Sequence, residues 1–305
     1  MQRLSDEELQ SAHHQAKVNK WRQRALFGVS LTAFGLGLYA VMLYTSVMSE
    51  VPMGEVPDDL IDRFDKEAEG YDEKVNFAEM AQLLHWRRKQ LTQRAKGHVL
   101  EVAVGTGRNT GYYDTKQCDT VTLLDVSGPM LAVAKRKWND THKEYFHRVF
   151  FKQQSALDPI TPPWDAAKGY DTVLQTMGLC STPEPVKLLQ NLAAATHEDG
   201  QILLLEHGKS HYDWLNAVLD KTAARHADAH GCWWNKDIGQ IVEQSGLEVV
   251  KMERFMFGTL WRLELKASKG MAGGRLADAV AVAQPPEAPP AAAVTRGKKA
   301  WWRVW

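Results

Sequence analysis

The sequence predicts an α/β fold with a mostly parallel, seven-stranded sheet that ends in an antiparallel pair. Short apolar, β-branched runs alternate with segments of helical periodicity through the first five strands, which is typical of strands buried between helices. The last two runs, residues 248–257 and 259–266, alternate apolar and polar side chains and meet at Gly258, which predicts a hairpin. A length of 305 residues with 44% hydrophobic content is enough for one such core with additional segments.

The other elements follow from the same periodicities. The first five strands are predicted at residues 98–104, 120–126, 148–154, 171–177 and 200–207. Two helices are predicted within residues 58–96, and later helices from residue 127 and at residues 183–197, 214–226 and 235–244.

A glycine turn follows the first strand. Gly105 and Gly107 remove two Cβ atoms there, so the backbone can pass close to a ligand. The helix expected next points its first N–H groups at that ligand. Glu101 lies within the strand, where a buried carboxylate needs a partner. A cationic cofactor and the N–H groups of the loop are both candidates.

Two cofactor classes use such a turn. A dinucleotide site has the pattern G-x-G-x-x-G, whereas the third glycine here comes one position late, at Gly111. The pattern E-x-small-x-G-x-G, from Glu101 through Ala103 to Gly107, resembles methyltransferases that use S-adenosylmethionine. The terminal hairpin, which a dehydrogenase domain lacks, also favours this Rossmann-like class I methyltransferase fold. A third interpretation of the glycine turn is a tight strand–helix connection that binds no ligand.

Further cofactor residues follow from the strand ends. Asp125 ends the second strand, where a carboxylate accepts two hydrogen bonds from a ribose diol. Ser155 and Ala156 follow the third strand at the expected adenine edge, and residues 176–179 follow the fourth strand beside the reacting end. The predicted cofactor residues are Glu101, Ala103, Gly105, Gly107, Asn109, Asp125, Met130, Ser155, Ala156, Thr176 and Leu179.

The sequence says less about the site of the methyl acceptor than about the site of the cofactor. Methyl transfer from a sulfonium is an in-line displacement, so the enzyme mainly positions the acceptor and excludes water. Glu206 and His207 end the fifth strand, and each is a candidate general base or a hydrogen-bonded support. The candidates for lining the acceptor site, each with a packing role as the alternative, are Tyr71, Cys180, Trp233 and Trp234.

Composition excludes some functions. The formal net charge is zero, which argues against a nucleic-acid partner because such proteins carry a positive face. The three cysteines form no C-x-x-C pair and no cluster with the 11 histidines. The sequence therefore predicts neither a metal site nor a disulfide framework.

Residues 25–48 predict a transmembrane helix. The segment has 24 uncharged residues, and at 1.5 Å per residue this length crosses a hydrocarbon core of about 30 Å. Trp21 and Tyr44 lie near its ends, where amphipathic rings favour the interface. A signal peptide and a buried core helix are the alternatives. Residues 1–24 predict a polar helix that opens with the capping box Ser5-x-x-Glu8 and is too acidic for a mitochondrial presequence.

The flanking charges predict an orientation. Basic residues precede the apolar segment and acidic residues follow it: Lys17, Lys20, Arg22 and Arg24, then Glu50, Glu55, Asp58, Asp59, Asp62 and Asp65. The positive-inside rule then places the larger, C-terminal part outside. The expected organisation continues with a linker at 49–57, a methyltransferase domain at 58–267 and an Ala-, Pro- and Gly-rich tail at 268–305. The tail ends in basic residues and tryptophans, which suit a membrane surface or a partner groove.

Two longer motifs carry a specific resemblance. EHGKSHYDWLN at residues 206–216 and GCWWNKDIG at residues 231–239 are similar to the membrane-anchored methyltransferase-like proteins of the fungal mitochondrial inner membrane. FDKEAEGYD at 64–72 and LHWRR at 84–88 also resemble the quinone-biosynthesis C-methyltransferases, and the chain is more distantly similar to animal membrane-anchored thiol methyltransferases.

This resemblance implies S-adenosylmethionine as cofactor and the mitochondrial inner membrane as location, with the domain in the intermembrane space. The expected function is methyl transfer to a lipophilic small molecule such as a quinone precursor, a thiol or a lipid. The alternative is a non-catalytic accessory or assembly subunit of an inner-membrane complex that retains the fold. The expected partners are the methyl acceptor, the bilayer and such a complex.

Overall fold

The computed structural model describes residues 6–48, 56–57, 60–162 and 168–268. Its strands are β1 (Gly97–Val102), β2 (Cys118–Asp125), β3 (Val149–Gln153), β4 (Tyr170–Thr176), β5 (Thr196–His207), β6 (Glu248–Phe255) and β7 (Leu260–Lys266). Its helices are α1 (Asp6–Met48), α2 (Ile61–Glu67), α3 (Tyr71–Ala81), α4 (Leu84–Thr92), α5 (Gly128–Thr141), α6 (Pro185–Ala195), α7 (Asp213–His230) and α8 (Ile238–Ser245).

The strands form one sheet in the order β3-β2-β1-β4-β5-β7-β6. Strands β1 to β5 are parallel, and β7 pairs antiparallel with both β5 and β6. The predicted α/β fold and its terminal hairpin are therefore confirmed. The strand order reverses between β1 and β4, and the crevice at their carboxyl ends is where open α/β sheets bind ligands.

Apolar side chains cover both faces of the sheet. On one face a core cluster that includes Leu192 and Ile238 joins the sheet to α6 and α8. On the other face Trp138 of α5 is fully buried and packs near Tyr113 and Tyr145, with ring centroids 5.5 and 6.0 Å away. The sheet is thus a buried central layer, as the mostly apolar, β-branched run of β1 predicts.

The prediction of a helix directly after the glycine turn is wrong. The chain there forms a single 3-10 turn, Thr110–Tyr112. Asn109 and Tyr113 direct their side chains to Glu101, and the Thr110 hydroxyl donates to the carbonyl of Gly107 at 2.8 Å. These side-chain bonds compete with the helical backbone pattern, so N–H groups of a long helix do not face the turn.

The segment before β1 contains three helices rather than the predicted two. Leu83 adopts a left-handed conformation with φ of 54°, which reverses the chain between α3 and α4. A third helix, α2, precedes Gly70 and α3. Helical periodicity alone did not reveal these breaks, because the apolar spacing continues across them.

Helix α1 runs without interruption through the predicted polar and apolar segments. Within it, His13–Thr45 is long and apolar enough to cross a membrane, and its most apolar 18 residues are not buried against the rest of the structure. The predicted capping residue Ser5, most of the 49–57 linker and tail residues 269–305 lie outside the described residues.

Candidate active site

A deep cavity lies at the carboxyl ends of β1, β2 and β4. Its volume of about 240 Å³ is far larger than the roughly 10–15 Å³ that one water molecule requires. The ends of these strands form its floor, and Ile61 and Phe64 of α2 and Tyr71 of α3 form its cap. The cavity therefore occupies the position at which the topology predicts a ligand.

The glycine turn shapes one side of the cavity. Gly105 has a φ of +56°, and a Cβ added there would meet no atom within 4 Å, so this position faces open space in the cavity wall. Gly107 has a φ of +74°, and an added Cβ would lie 3.0 Å from the Cα of Ala134 in α5. Gly105 thus leaves room for a ligand, whereas Gly107 allows α5 to pack against the turn.

Asp125 ends β2 and borders the cavity. Its two carboxylate oxygens accept hydrogen bonds from the backbone N–H groups of Gly105 at 2.7 Å and Ser127 at 2.9 Å. Burial raises the pKa of this carboxyl, while the backbone bonds lower it. The bonds fix the carboxylate, and each oxygen retains a lone pair for a further donor such as a ribose hydroxyl.

Glu101 lies beneath the floor of the cavity and is fully buried. Its oxygens accept from the Asn109 amide at 2.8 Å and the Tyr113 hydroxyl at 2.5 Å. These side chains, rather than loop N–H groups or a cofactor cation, are the partners that the buried carboxylate requires. Burial raises the pKa of Glu101 to about 7, although both bonds oppose the shift.

Two arginines form a cationic wall. Arg88 of α4 is only 5% exposed and donates to Thr176 Oγ1 at 2.6 Å and to Glu79 Oε1 at 2.8 Å. Arg108 of the glycine turn donates to the other oxygen of Glu79 at 2.8 Å and to Asp72 at 3.0 Å. Glu79 therefore joins the N-terminal helices to the turn, and the two guanidinium groups hold its pKa below the usual range despite burial.

Some buried polar atoms beside the cavity lack partners. Within the described part of the chain, Arg88 Nε and both polar atoms of the Gln175 side-chain amide have no hydrogen-bond partner, and Arg88 and Gln175 both border the cavity. Such atoms are costly to bury unpaired. A polar ligand in the cavity would supply partners for them.

The predicted cofactor residues fall into two sets. Those that border the cavity are Ala103, Gly105, Asp125, Met130, Ser155, Ala156 and Thr176. Those that lie behind it are Glu101, Gly107, Asn109 and Leu179. The second set supports the walls: Asn109 bonds to Glu101 and Thr176, and the Leu179 N–H donates to Glu206 at 3.1 Å.

The candidate bases do not border the cavity. Glu206 is fully buried and accepts from the N–H groups of Gly178 and Leu179, so it supports the loop after β4. Burial lowers the pKa of His207 to about 4, and its ring lies 3.4 Å from the Gln82 amide oxygen and 3.8 Å from Cys232 Sγ. These positions favour the supporting role for both residues.

The predicted acceptor-side residues are also divided. Tyr71 borders the cavity, and burial raises its pKa to about 12. The thiol of Cys180 is buried, and the backbone carbonyl of this residue accepts a hydrogen bond from the backbone N–H of Trp233 at 3.0 Å. Trp234 stacks on His226 of α7 at 3.8 Å. Tyr71 alone of these candidates meets the cavity, and the others pack behind the β4 loop or on α7.

Several cavity residues were missed by sequence reasoning. They are Ile61, Phe64, Arg88, Arg108 and Gln175. Arg88 had a signal, because it ends the LHWRR motif, but nothing in that motif specified a contact with Thr176. Arg108 and Gln175 lie next to predicted residues, and only the fold shows that their side chains reach the same wall.

Comparisons with known proteins agree with this geometry. The chain is 36% identical over 212 residues to the mitochondrial methyltransferase OMS1 of Saccharomyces cerevisiae, which covers 67% of this chain and 45% of that protein. It is 29% identical over 167 residues to a phosphatidylethanolamine N-methyltransferase of Cereibacter sphaeroides (54% and 77% covered). It is 30% identical over 164 residues to a demethylmenaquinone methyltransferase of Renibacterium salmoninarum (52% and 63% covered). The chain thus spans less than half the length of the yeast protein.

Solved structures show the same fold. An O-methyltransferase family protein from Burkholderia thailandensis superposes with a TM-score of 0.52 at 19% identity, over 75% of this chain and 68% of that one. Residues 71–252 match the methyltransferase domain family. This match covers the sheet from β1 through most of β6, helices α3 to α8 and the cavity except for Ile61 and Phe64. S-adenosylmethionine, the predicted cofactor, is the methyl donor of this fold class. The chain therefore belongs to the methyltransferase domain family.

Proposed function

We propose that this protein is a membrane-anchored methyltransferase that transfers a methyl group from S-adenosylmethionine to a lipophilic small molecule at the mitochondrial inner membrane. The observation that carries the proposal is the cavity at the switch point of the sheet, where Asp125 is fixed by two backbone N–H groups and Gly105 faces open space.

The residues around the cavity suit the parts of the cofactor. Asp125 would hold the ribose diol, and Ser155 and Ala156 would border the adenine, since all three residues line the cavity. Arg88 and Arg108 also border the cavity, and their charges are balanced by Glu79 and Asp72. Arg88 Nε has no hydrogen-bond partner among the described residues, so it would be the donor for the carboxylate of the cofactor. When bound, S-adenosylmethionine supplies a methyl group already activated on a sulfonium.

The chain's own contribution is to position the acceptor and exclude water. Ile61, Phe64 and Tyr71 cover the cavity with apolar and aromatic surface. Because burial raises the pKa of Tyr71 to about 12, its hydroxyl stays protonated at neutral pH and is available as a hydrogen-bond donor to an acceptor oxygen.

The acceptor class follows from the titratable groups of the cavity. Among the described residues that border it, those groups are Tyr71, Arg88, Arg108 and Asp125. The arginines and the protonated tyrosine are poor bases, and Asp125 is assigned to the ribose. Methyl transfer to a thiol, an amine or a quinol carbon also releases a proton, and none of these groups is a base that would take it. An acceptor that loses this proton to solvent therefore fits best, which includes a thiol reacting as its thiolate, an uncharged amine and a quinol reacting as its phenolate. The named activities of the bacterial relatives, on a phospholipid amine and on a quinone, belong to these classes.

Membrane anchoring is supported by α1, whose apolar stretch His13–Thr45 is long enough to span a bilayer. The mitochondrial location is supported by the yeast relative. The basic residues before the span and the acidic residues after it favour a domain in the intermembrane space.

A second candidate function is a non-catalytic accessory or assembly subunit of an inner-membrane complex. The observation that favours it is the position of Glu206 and His207, the two candidate bases, behind the cavity wall. This candidate does not require bound S-adenosylmethionine, so cofactor binding separates the two functions.

Isothermal titration calorimetry on the full chain in detergent tests the proposal. Unmodified protein is expected to bind S-adenosylmethionine with one site. Gly105→Ala is expected to weaken binding at least tenfold, because its Cβ projects into the cavity. Gly111→Ala is the control for the added methyl group, since a Cβ at this exposed position also meets no atom within 4 Å but lies outside the cavity. It does not control for the positive φ of Gly105, so thermal unfolding of both variants measures that strain separately. If the unmodified chain does not bind, the enzyme proposal is refuted and the accessory function is favoured.

The acceptor class is tested separately. Purified full chain is incubated with S-adenosylmethionine carrying a labelled methyl group and, in parallel, with mitochondrial lipid extract, a quinol analogue and an apolar thiol. Labelled product in the organic phase from any of the three supports the lipophilic acceptor, and its absence from all three refutes that class.

A further inference from the structure

Three loops expose large apolar side chains at one edge of the sheet. We define the apolar rim as Leu83 and Trp86 near the start of α4, Met256 and Phe257 in the β6–β7 turn, and Tyr212 and Trp214 at the start of α7. Each of these side chains is exposed, and Trp214 and Phe257 reach 63% and 69%. A group of large exposed apolar side chains at one edge of a folded domain indicates a binding surface.

Side-chain contacts join the three loops. The guanidinium of Arg87 lies 3.6 Å from the ring centroid of Phe255, directly before the β6–β7 turn, and 5.9 Å from the ring of Trp86. The Ser210 hydroxyl donates to the carbonyl of Phe257 and accepts from the N–H of Tyr212 at 3.0 Å. The rim is therefore one surface, held by specific contacts.

The rim lies at the same edge of the sheet as the cavity. β5 ends at His207, which pairs with Leu260, and Leu260 pairs in turn with Phe255 at the end of β6. Met177, which borders the cavity, packs in one apolar cluster with Leu84 and Phe255. The rim and the cavity are thus connected through a continuous apolar layer.

The β6–β7 turn carries two of these exposed side chains on an unusual backbone conformation. Met256 and Phe257 have φ values of 52° and 56°, a left-handed conformation that is unfavourable for side chains of this size. Such strain persists where the surrounding structure maintains it, and it is concentrated at functional sites. Here it presents two large apolar side chains to the outside.

We propose that the apolar rim docks on the lipid bilayer and turns the mouth of the cavity toward the membrane. This inference rests on the proposed anchoring by α1. Only 11 residues separate Met48 at the end of α1 from Leu60, so an extended chain places the domain within about 40 Å of the point where the helix ends. Trp and Tyr favour the membrane interface because their rings are apolar with one polar atom. A docked rim allows a lipophilic acceptor to enter from the bilayer without crossing water.

Quenching by a lipid-attached nitroxide tests this docking in the full chain. The protein is reconstituted into phosphatidylcholine vesicles that contain a nitroxide-labelled lipid, and a fluorophore is attached through Phe257→Cys. The native cysteines, Cys118, Cys180 and Cys232, are buried, and unmodified protein measures their background labelling. The matched control is Asp199→Cys, an exposed position near the amino end of β5, at the opposite edge of the sheet.

The expected result is quenching at position 257 at least threefold greater than at position 199. Replacing Trp86 and Trp214 together by aspartate is expected to reduce quenching at 257 toward the control, while α1 stays resistant to alkaline extraction. Equal quenching at both positions, with α1 inserted, overturns the docking. The rim then faces water, a second copy of the chain or another protein. A chain that does not insert refutes the anchoring and the docking together. S-adenosylmethionine binding, measured separately, still reports on the methyltransferase proposal.

Discussion

Gln175 offers a sharp test of the cavity, because its replacement is expected to move stability and cofactor affinity in opposite directions. The side chain is fully buried at the end of β4, and its amide oxygen and nitrogen lack partners within the described residues. An unpaired buried polar group costs about 1–3 kcal/mol. Gln175→Met retains the length of the side chain and removes both polar atoms, so we expect the free energy of unfolding to rise by about 1–2 kcal/mol.

The same change removes hydrogen-bonding groups from the cavity wall. If the amide pairs with the cofactor, losing that interaction costs about 1–2 kcal/mol, which weakens S-adenosylmethionine binding by about 5- to 30-fold. Thr122→Val is the matched control: Thr122 Oγ1 is also buried without a partner, but it lies in β2 away from the cavity. It is expected to raise stability without changing affinity.

The assays are thermal unfolding without ligand and calorimetric titration with S-adenosylmethionine, both on the full chain in detergent. A gain of about 1–2 kcal/mol corresponds to an increase in Tm of roughly 2–8 °C for a domain of this size. The reasoning is refuted if Gln175→Met lowers Tm, since the amide is then satisfied in the folded protein. It is equally refuted if affinity is unchanged, since the amide then makes no contribution to the ligand site.

Two further changes test the backbone and the buried acid of the site. Ala103 has a φ of 53°, so Ala103→Gly removes a left-handed backbone penalty of about 1–2 kcal/mol and adds a glycine entropy cost of about 0.5–1 kcal/mol. Denaturant unfolding should therefore show that the free energy of unfolding rises by about 0.5–1 kcal/mol. A lower free energy of unfolding would contradict the assignment of strain to this residue. The pKa of Glu101 is raised to about 7, so its protonated form favours folding, and this contribution is complete below about pH 4.5 and is lost as the pH rises through about 7. Relative to Glu101→Gln, unmodified protein should lose about 3 kcal/mol of stability across that range, and parallel pH profiles for the two proteins would contradict the assignment.

The sheet could be predicted because its determinants are local. Apolar β-branched runs mark buried strands, and the alternation in residues 248–266 marks the hairpin. Gly105 and Asp125 were identifiable because their roles depend on a turn and a strand end, both of which are visible in a few consecutive residues. The cofactor end of the cavity was therefore accessible from the sequence.

The cap of the cavity and the wall that contains the two arginines could not be predicted from the sequence in this way. Arg88 and Arg108 meet at Glu79 from separate segments, and such pairing depends on tertiary packing rather than spacing. Glu206 and His207 were suggested as bases because they end a strand near the site. Register places them at the correct edge of the sheet, but the fold directs the Glu206 side chain into backbone N–H groups. Position along a strand does not determine which side of a wall a side chain reaches.

Helix α2 is the first described helix after the span, and its residues Ile61 and Phe64 form part of the wall of the cavity. Asp65 in the same helix accepts a hydrogen bond from the Ser127 hydroxyl at 2.5 Å, and the N–H of Ser127 donates to the carboxylate of Asp125. Only 11 residues of sequence separate α1 from Leu60, so a change in the length of this connection acts first on the helix that carries Ile61 and Phe64. Lengthening or shortening residues 49–59 would alter the lid of the pocket before it altered the sheet.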